Sequence, residues 1–185
     1  MSKAVAILIN FNGRESTKRL VLILEQFRSI ATTLIIDNGS TDGSKEQLGR
    51  SAYNKAILLE TNRNLGFSGG VNVGLKRAME KDVDIFLLIN PDVVISQKDL
   101  KHLLESEFDI TSPILHFARL GKDVYDYGGR VIWPIGRPVH REYASLQKGV
   151  PPIDYVSGAC MLIKREVVEK IGFFDERFFM YFEDV

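Results

Sequence analysis

The run from Ile85 to Val94, IFLLINPDVV, is apolar until it stops at Asn90-Pro91-Asp92. A carboxylate set at the end of such a run can hold a divalent cation or accept hydrogen bonds from a sugar or a base. Asn10 closes the run AVAILIN and Asp37 closes TTLIID, so polar groups recur where apolar stretches end. A second acidic pair, Glu183-Asp184, follows the aromatic-rich stretch IGFFDERFFMYF. An apolar wall keeps a carboxylate partly dry, which raises its pKa toward that of a general base. Each signal has a plainer local reading. Asp37-Asn38-Gly39 and Thr41-Asp42-Gly43 are ordinary turn sequences, Asp92 suits a turn or a helix cap, and the terminal aromatics suit a loop folded into the core. Joint placement on one edge is what favours chemistry.

That placement depends on the elements. An unbroken apolar run ended by proline predicts a strand buried on both faces, as in a parallel sheet covered by helices, with Asp92 at its carboxyl edge. Strands are expected at AVAILIN, at Thr32 to Asp37 and at Ala56 to Leu59. Between them, helical spacing runs from Ser16, a candidate N-cap, to Ile30. A short helix begins near Ser44 with a Ser44/Gln47 capping box, and a Gly-rich helix spans Ser68 to Lys81. The alternation predicts a mainly parallel sheet with right-handed crossovers, in which Asn10, Asp37, Asn90 and Asp92 line one edge. Further on, a helix is expected over Gln97 to Glu105 and a strand over Asp109 to Phe117. Tyr125 to His140 reads as a short hairpin or irregular loop, Tyr155 to Ile163 as the last strand, and Arg165 to Ile171 as a helix ended by Gly172.

Composition limits the classes. The 185 residues are 45% hydrophobic, enough for one sizeable core, so one domain over residues 1–185 is expected, with halves at 1–95 and 96–185. Lys+Arg and Asp+Glu both number 24, so no global field draws the chain to nucleic acid. Cys160 is the single cysteine and sits in the apolar run ACMLI, where a small buried hydrophobe is expected. The opening MSKAVAILIN is too short for a signal or a membrane span, which predicts a cytoplasmic chain without a transmembrane segment. The stretch Asn62 to Gly74, NRNLGFSGGVNVG, either lets a ligand approach the backbone at a helix start or permits tight helix-to-sheet packing. It is neither a Walker loop nor G-x-G-x-x-G.

Taken in order, INFNG, IIDNGSTDGS, NRNLGFSGGVNVG, INPDVV, SGACMLIKREVVEKIGFFDERFF and MYFEDV resemble the family 2 inverting glycosyltransferases of the GT-A fold, in particular a bacterial rhamnosyltransferase-like branch. The resemblance covers nearly the whole chain. It implies a Rossmann-like α/β domain with helices on both faces of the sheet and a small antiparallel or irregular acceptor-side region. It also implies transfer of a sugar from a nucleoside diphosphate donor, dTDP-rhamnose or a UDP-sugar, to an acceptor hydroxyl with inversion. A polysaccharide or lipid-linked glycan acceptor, and peripheral association with the inner face of a membrane, belong to the same implication.

On these motifs, Asn10 and Phe11 would lie beside the nucleoside and Asp37 would bind its base or ribose. Asn64, Gly66, Phe67 and Asn72 would border the donor pocket together with Asn90. Asp92 would hold Mg²⁺ or Mn²⁺, shared with the donor's phosphates because Asn90 stands where the family usually carries an acid. Asp184 would be the general base and Glu183 would orient the acceptor. Gly158, Ala159 and the Tyr125 to Arg141 stretch would be acceptor-side, with Trp133 able to stack on a sugar ring. Relatives continue past the Glu-Asp pair, so a truncated chain ending at Val185 is expected. Two other readings stand beside this one: a donor-binding remnant without activity, and a sugar-phosphate nucleotidyltransferase. The latter needs more cations after the first strand than Arg14 alone.

Overall fold

A computed structural model describes residues 3–50 and 53–180. The order of elements is β1 (Ala4–Asn10), α1 (Arg14–Glu25), β2 (Ile30–Asp37), α2 (Ser44–Arg50), β3 (Ala56–Glu60), α3 (Gly66–Met79) and β4 (Ile85–Ile89). There follow α4 (Gln97–Leu104), β5 (Ile110–Thr111), β6 (Leu115–Arg119), β7 (Lys122–Ile132), β8 (Arg137–Tyr143), β9 (Cys160–Lys164) and α5 (Arg165–Ile171). Six strands form one sheet in the order β3-β2-β1-β4-β9-β5. Pairing is parallel from β3 to β4, and β9 joins β4 antiparallel. Because β2 and β3 lie on one side of β1 and β4 on the other, the strand order reverses at β1. A crevice opens at the carboxyl ends of strands where this happens.

The apolar runs are continuous because both faces of this sheet are covered. On one face Ala6, Leu8, Ile35 and Leu87 pack with Leu20 and Leu24 of α1 and Leu100 of α4. On the other, Val5, Ile7, Ile36 and Phe86 pack with Val71 and Leu75 of α3 and Val168 of α5. All five residues of β4 are buried. The glycines of α3 serve this packing: a Cβ on Gly74 would stand 2.3 Å from Ile7 Cγ2, and one on Gly70 3.1 Å from Ile9 Cγ2. The α4 start carries a capping box in which Ser96 Oγ accepts from the Asp99 amide at 3.1 Å and Asp99 answers at the Ser96 amide.

Several boundaries differ from the sequence reading. The first helix is Arg14–Glu25, with Gly13 at its N-cap, and Ile30 already belongs to β2. Ser16 does not cap it; its hydroxyl donates to the Gly13 carbonyl at 2.9 Å. At α2 it is Asp42 whose carboxylate accepts from the Ser44 amide and hydroxyl, so the expected Ser44/Gln47 box is replaced by an acid outside the helix. The strand expected over Asp109 to Phe117 is two short strands in different sheets, separated around Pro113, which has no N–H to continue a ladder. The last strand begins at Cys160, while Tyr155 makes only an isolated bridge to Gly129.

The stretch Tyr125 to His140 takes the hairpin alternative, in a longer form than expected. It is not irregular: β6, β7 and β8 form a second, antiparallel sheet, and a 3-10 turn at Trp133–Ile135 joins the long hairpin. The glycines that read as loop sit in a bulge between Asp126 and Gly129, where Gly128 takes φ 93°. A side chain there would strike the Tyr155 carbonyl at 2.4 Å, so the bulge brings the hairpin onto the 153–156 segment.

Candidate functional site

The reversal at β1 sets a cleft of about 340 Å³ at the carboxyl ends of β1, β2 and β4, lined by Phe11, Asn38, Asn64, Phe67, Asn90 and Asp92 with Gly66, Pro91 and Met180 among their neighbours. The expected edge of polar strand ends is therefore present. Its members divide into a buried frame and an exposed lining.

Asn10 and Asp37 are the frame. Asn10 is fully buried; its amide donates to Asp37 Oδ2 at 2.9 Å and to Ser40 Oγ at 3.0 Å, and its oxygen accepts from Thr17 at 2.7 Å. Asp37 is 2% exposed, and its second oxygen accepts from the Ser40 amide at 3.0 Å. With these bonds made, Asn10 has no surface to offer a nucleoside. Instead it locks the β1–α1 loop to the β2–α2 loop, a link that Asn12 doubles by donating from its amide to Ser40 Oγ and accepting from the Thr41 amide.

Asn38 performs the same work one layer out, and the sequence reading passed over it as a turn residue. Its amide donates to Asn64 Oδ1 at 3.1 Å and the Gly66 carbonyl at 2.9 Å, and its oxygen accepts from the Leu65 amide at 3.0 Å. Asn64 accepts from the Gly66 amide at 2.8 Å, and the Phe67 amide donates to the Phe179 carbonyl at 2.7 Å. The first amides of α3 are thus engaged within the protein. These partners occupy the amides of Leu65, Gly66 and Phe67 that would otherwise face a ligand at this helix start.

Asn72, expected beside the donor, faces elsewhere. It is 2% exposed and clasps the chain after α5, donating to the Phe174 carbonyl and Glu176 at 2.9 Å each and accepting from the Phe174 amide at 3.0 Å. This clasp and the Phe67–Phe179 bond bring Met180 to the cleft. Glu183 and Asp184 lie outside the described residues. Asp175, an acid on the same segment, is held down to about 2 by its hydrogen bonds from Arg177, which disqualifies it as a proton acceptor near neutral pH.

Asp92 is exposed and has no hydrogen-bond or ion-pair partner among the described residues, and the side chains lining the cleft beside it are neutral. Two of its neighbours are fixed by backbone: the Asn90 amide donates to the Ala159 carbonyl at 2.8 Å. Ala159 and the buried Gly158 therefore border the same edge, just before β9. Trp133 does not line the cleft; it stands at the hairpin tip, 73% exposed. Arg14 is also absent from the lining, so no cradle of cations for a triphosphate is present among the described residues.

Two other places offer a cavity or a set of ligand atoms. A larger cavity of about 520 Å³ between α3, β9 and α5 is lined mainly by apolar side chains such as Leu75, Met161, Ile171 and Phe174, with Asp154, Tyr155 and Asp175 as its polar members. Asp126, His140 and Glu142 place one ligand atom each within 4.8 Å and can hold a metal ion. However, Arg119 already binds Glu142 through both oxygens, at 2.6 and 3.0 Å, and the Gly128 amide and His140 occupy Asp126.

The chain matches the family model for glycosyl transferase family 2 over residues 5–172. It is 27% identical over 187 residues to the low-salt glycan biosynthesis hexosyltransferase Agl10 of Haloferax volcanii, covering 97% of this chain and 58% of that protein. It is 31% identical over 185 residues to an N-acetylglucosaminyl-diphospho-decaprenol L-rhamnosyltransferase of Mycobacterium tuberculosis, covering 83% of this chain and again 58% of the relative. The chain thus spans a little over half the length of these curated relatives. In fold it is similar to the mannosyltransferase PcManGT from Pyrobaculum calidifontis, solved in complex with GDP-Man and Mn²⁺, with a TM-score of 0.59 at 14% identity over 94% of this chain and 48% of that one. The mainly parallel sheet with helices on both faces is the GT-A architecture, and with the family model running from β1 through α5 the chain belongs to glycosyl transferase family 2.

Proposed function

We propose that this chain carries the donor-binding and catalytic part of an enzyme that moves a hexose or rhamnose from a nucleoside diphosphate to an acceptor hydroxyl, with inversion, in the assembly of a lipid-linked or cell-surface glycan at the inner face of a membrane. The observation that carries the reading is Asp92: an exposed carboxylate without a partner among the described residues, in a cleft of otherwise neutral side chains at the reversal of the strand order. A diphosphate beside it would be repelled unless a divalent cation joined the two. The ligand atoms on hand, the Asp92 carboxylate and the Asn90 amide oxygen, are hard oxygens that suit Mg²⁺ or Mn²⁺. When bound, such an ion offsets the charge of the departing diphosphate. In this reading Phe11 and Phe67 flank the nucleotide, Asn64, Gly66 and Asn90 border the sugar and phosphates, and Asp37 acts through the loops it braces.

Asp184 would take the acceptor's proton while that oxygen bonds to the anomeric carbon and the bond to the diphosphate breaks on the opposite face. Glu183 would orient the acceptor from beside Gly158 and Ala159. Met180, which lines the cleft, precedes Asp184 by four positions in the sequence. Labelled UDP- and dTDP-sugars offered with Mn²⁺ and a glycan acceptor test the reading. Asp184→Asn should bind donor normally while transfer falls by roughly 10²-fold or more, and Asp92→Asn should lose the cation-dependent part of donor binding. Full turnover by Asp184→Asn would refute the assignment.

A further inference from the structure

The β7–β8 hairpin ends in a tip that the cleft does not use. Residues 132–137 are all exposed, among them Ile132 at 45%, Trp133 at 73% and Ile135 at 68%. The tip is a closed turn: Pro134 lies inside the 3-10 segment, and Gly136, at φ 59°, donates its amide to the Trp133 carbonyl at 3.2 Å. These side chains are therefore held outward by the turn. Leu120, in the turn at the far end of β7, is 98% exposed but stands alone among Arg119, Gly121 and Lys122, as single surface apolar residues commonly do.

Charge selects the occupant. The protein as a whole is neutral, yet between Asp126 and Glu142 there is no acid, while Arg130, Arg137 and Arg141 lie within that stretch together with His140. Arg130 is tied to Asp154 at 3.6 Å at the base of the hairpin, and the tip itself carries Arg137. A Trp and two Ile presented on a turn, with the exposed Arg137 beside them, match the boundary of an anionic bilayer, where indole rings settle at the headgroup level and a guanidinium meets phosphate. Strand pairing with a second copy fits less well. Of the two edges of the small sheet, β8 holds Pro138, without an amide donor, followed by His140, Arg141 and Glu142, and the other, β6, is only five residues long and carries His116 and Arg119.

We infer that the Ile132–Gly136 tip is the element by which the protein rests on an anionic membrane surface. The inference names the contact for the membrane setting of the function proposed above, but its test needs neither donor nor acceptor. Trp133 is the chain's single tryptophan, so indole fluorescence reports this position alone. With vesicles containing roughly 30% phosphatidylglycerol, the emission should shift to the blue, brominated lipid should quench it, and the protein should co-sediment at least about tenfold more than with neutral phosphatidylcholine vesicles. Trp133→Ser/Ile135→Ser should stay in the supernatant and Arg137→Gln should bind more weakly. Both should keep the wild-type circular dichroism and melting temperature, because the replaced side chains are exposed.

Failure of the wild type to sediment at any anionic content would overturn the inference. So would equal binding by the double variant, or a lipid-free dimer in light scattering whose Trp133 emission is already shifted. Sugar transfer without vesicle binding would remove the anchor and leave the enzyme; vesicle binding without transfer would do the reverse.

Discussion

Asn72 links two parts of the molecule through one buried amide. Its three hydrogen bonds hold the segment after α5 against α3, and that segment in turn supplies Met180 to the cleft. Replacing it with alanine leaves the Phe174 amide and carbonyl without partners in a part-buried place, which costs about 1–3 kcal/mol. Asn72→Ala should therefore melt lower and be cut faster by protease within residues 172–180, with the main sheet unaffected; a cleavage pattern identical to the wild type would contradict the clasp. Polar type and position were readable in the sequence at Asn10, Asp37 and Asn72. Which of them would be buried was not, because burial is decided by partners distant in the chain, Thr17 and Ser40 for the first and Phe174 for the last.

At the scale of elements, the parallel half was legible because its signals are local: apolar runs ended by Asn10, Asp37 and Asn90 mark strands wherever they stand. The small antiparallel sheet was legible only in part: a hairpin was one of two alternatives for Tyr125 to His140, and neither its length nor its bulge could be read. Gly128 and Gly129 read as loop until Tyr155 is seen against them, a contact that no local pattern announces. The helix glycines show how one residue type meets opposite surroundings. In α2, a Cβ on Gly49 would meet only the Leu58 side chain at 3.4 Å, whereas on Gly74 it would meet Ile7 at 2.3 Å. Gly49→Ala should thus gain up to about 1 kcal/mol from helix propensity, while Gly74→Ala, though equally favoured by propensity, should lose about 1–3 kcal/mol to overpacking. Thermal melts of the two variants should move in opposite directions; a shared direction would show that α3 can shift off the sheet.

For the molecule as a whole, Cys160 is a gauge of global stability. It is fully buried where β9 pairs with β4, and burial pushes its thiol up to about 12. Ellman's reagent should label it only through unfolding that separates these strands, so labelling rates should follow the same urea dependence as the loss of circular dichroism. Rapid labelling in buffer would mean that β9 opens on its own. The pairing of β4 with β9 also orders events in time. During synthesis β1 to β3 can assemble as soon as they emerge, but β4, with all five residues apolar, keeps an open edge until Cys160–Lys164 has been made. Throughout that interval the nascent chain presents IFLLI as a strand seeking a partner, the moment at which it is most exposed to aggregation and most in need of a chaperone.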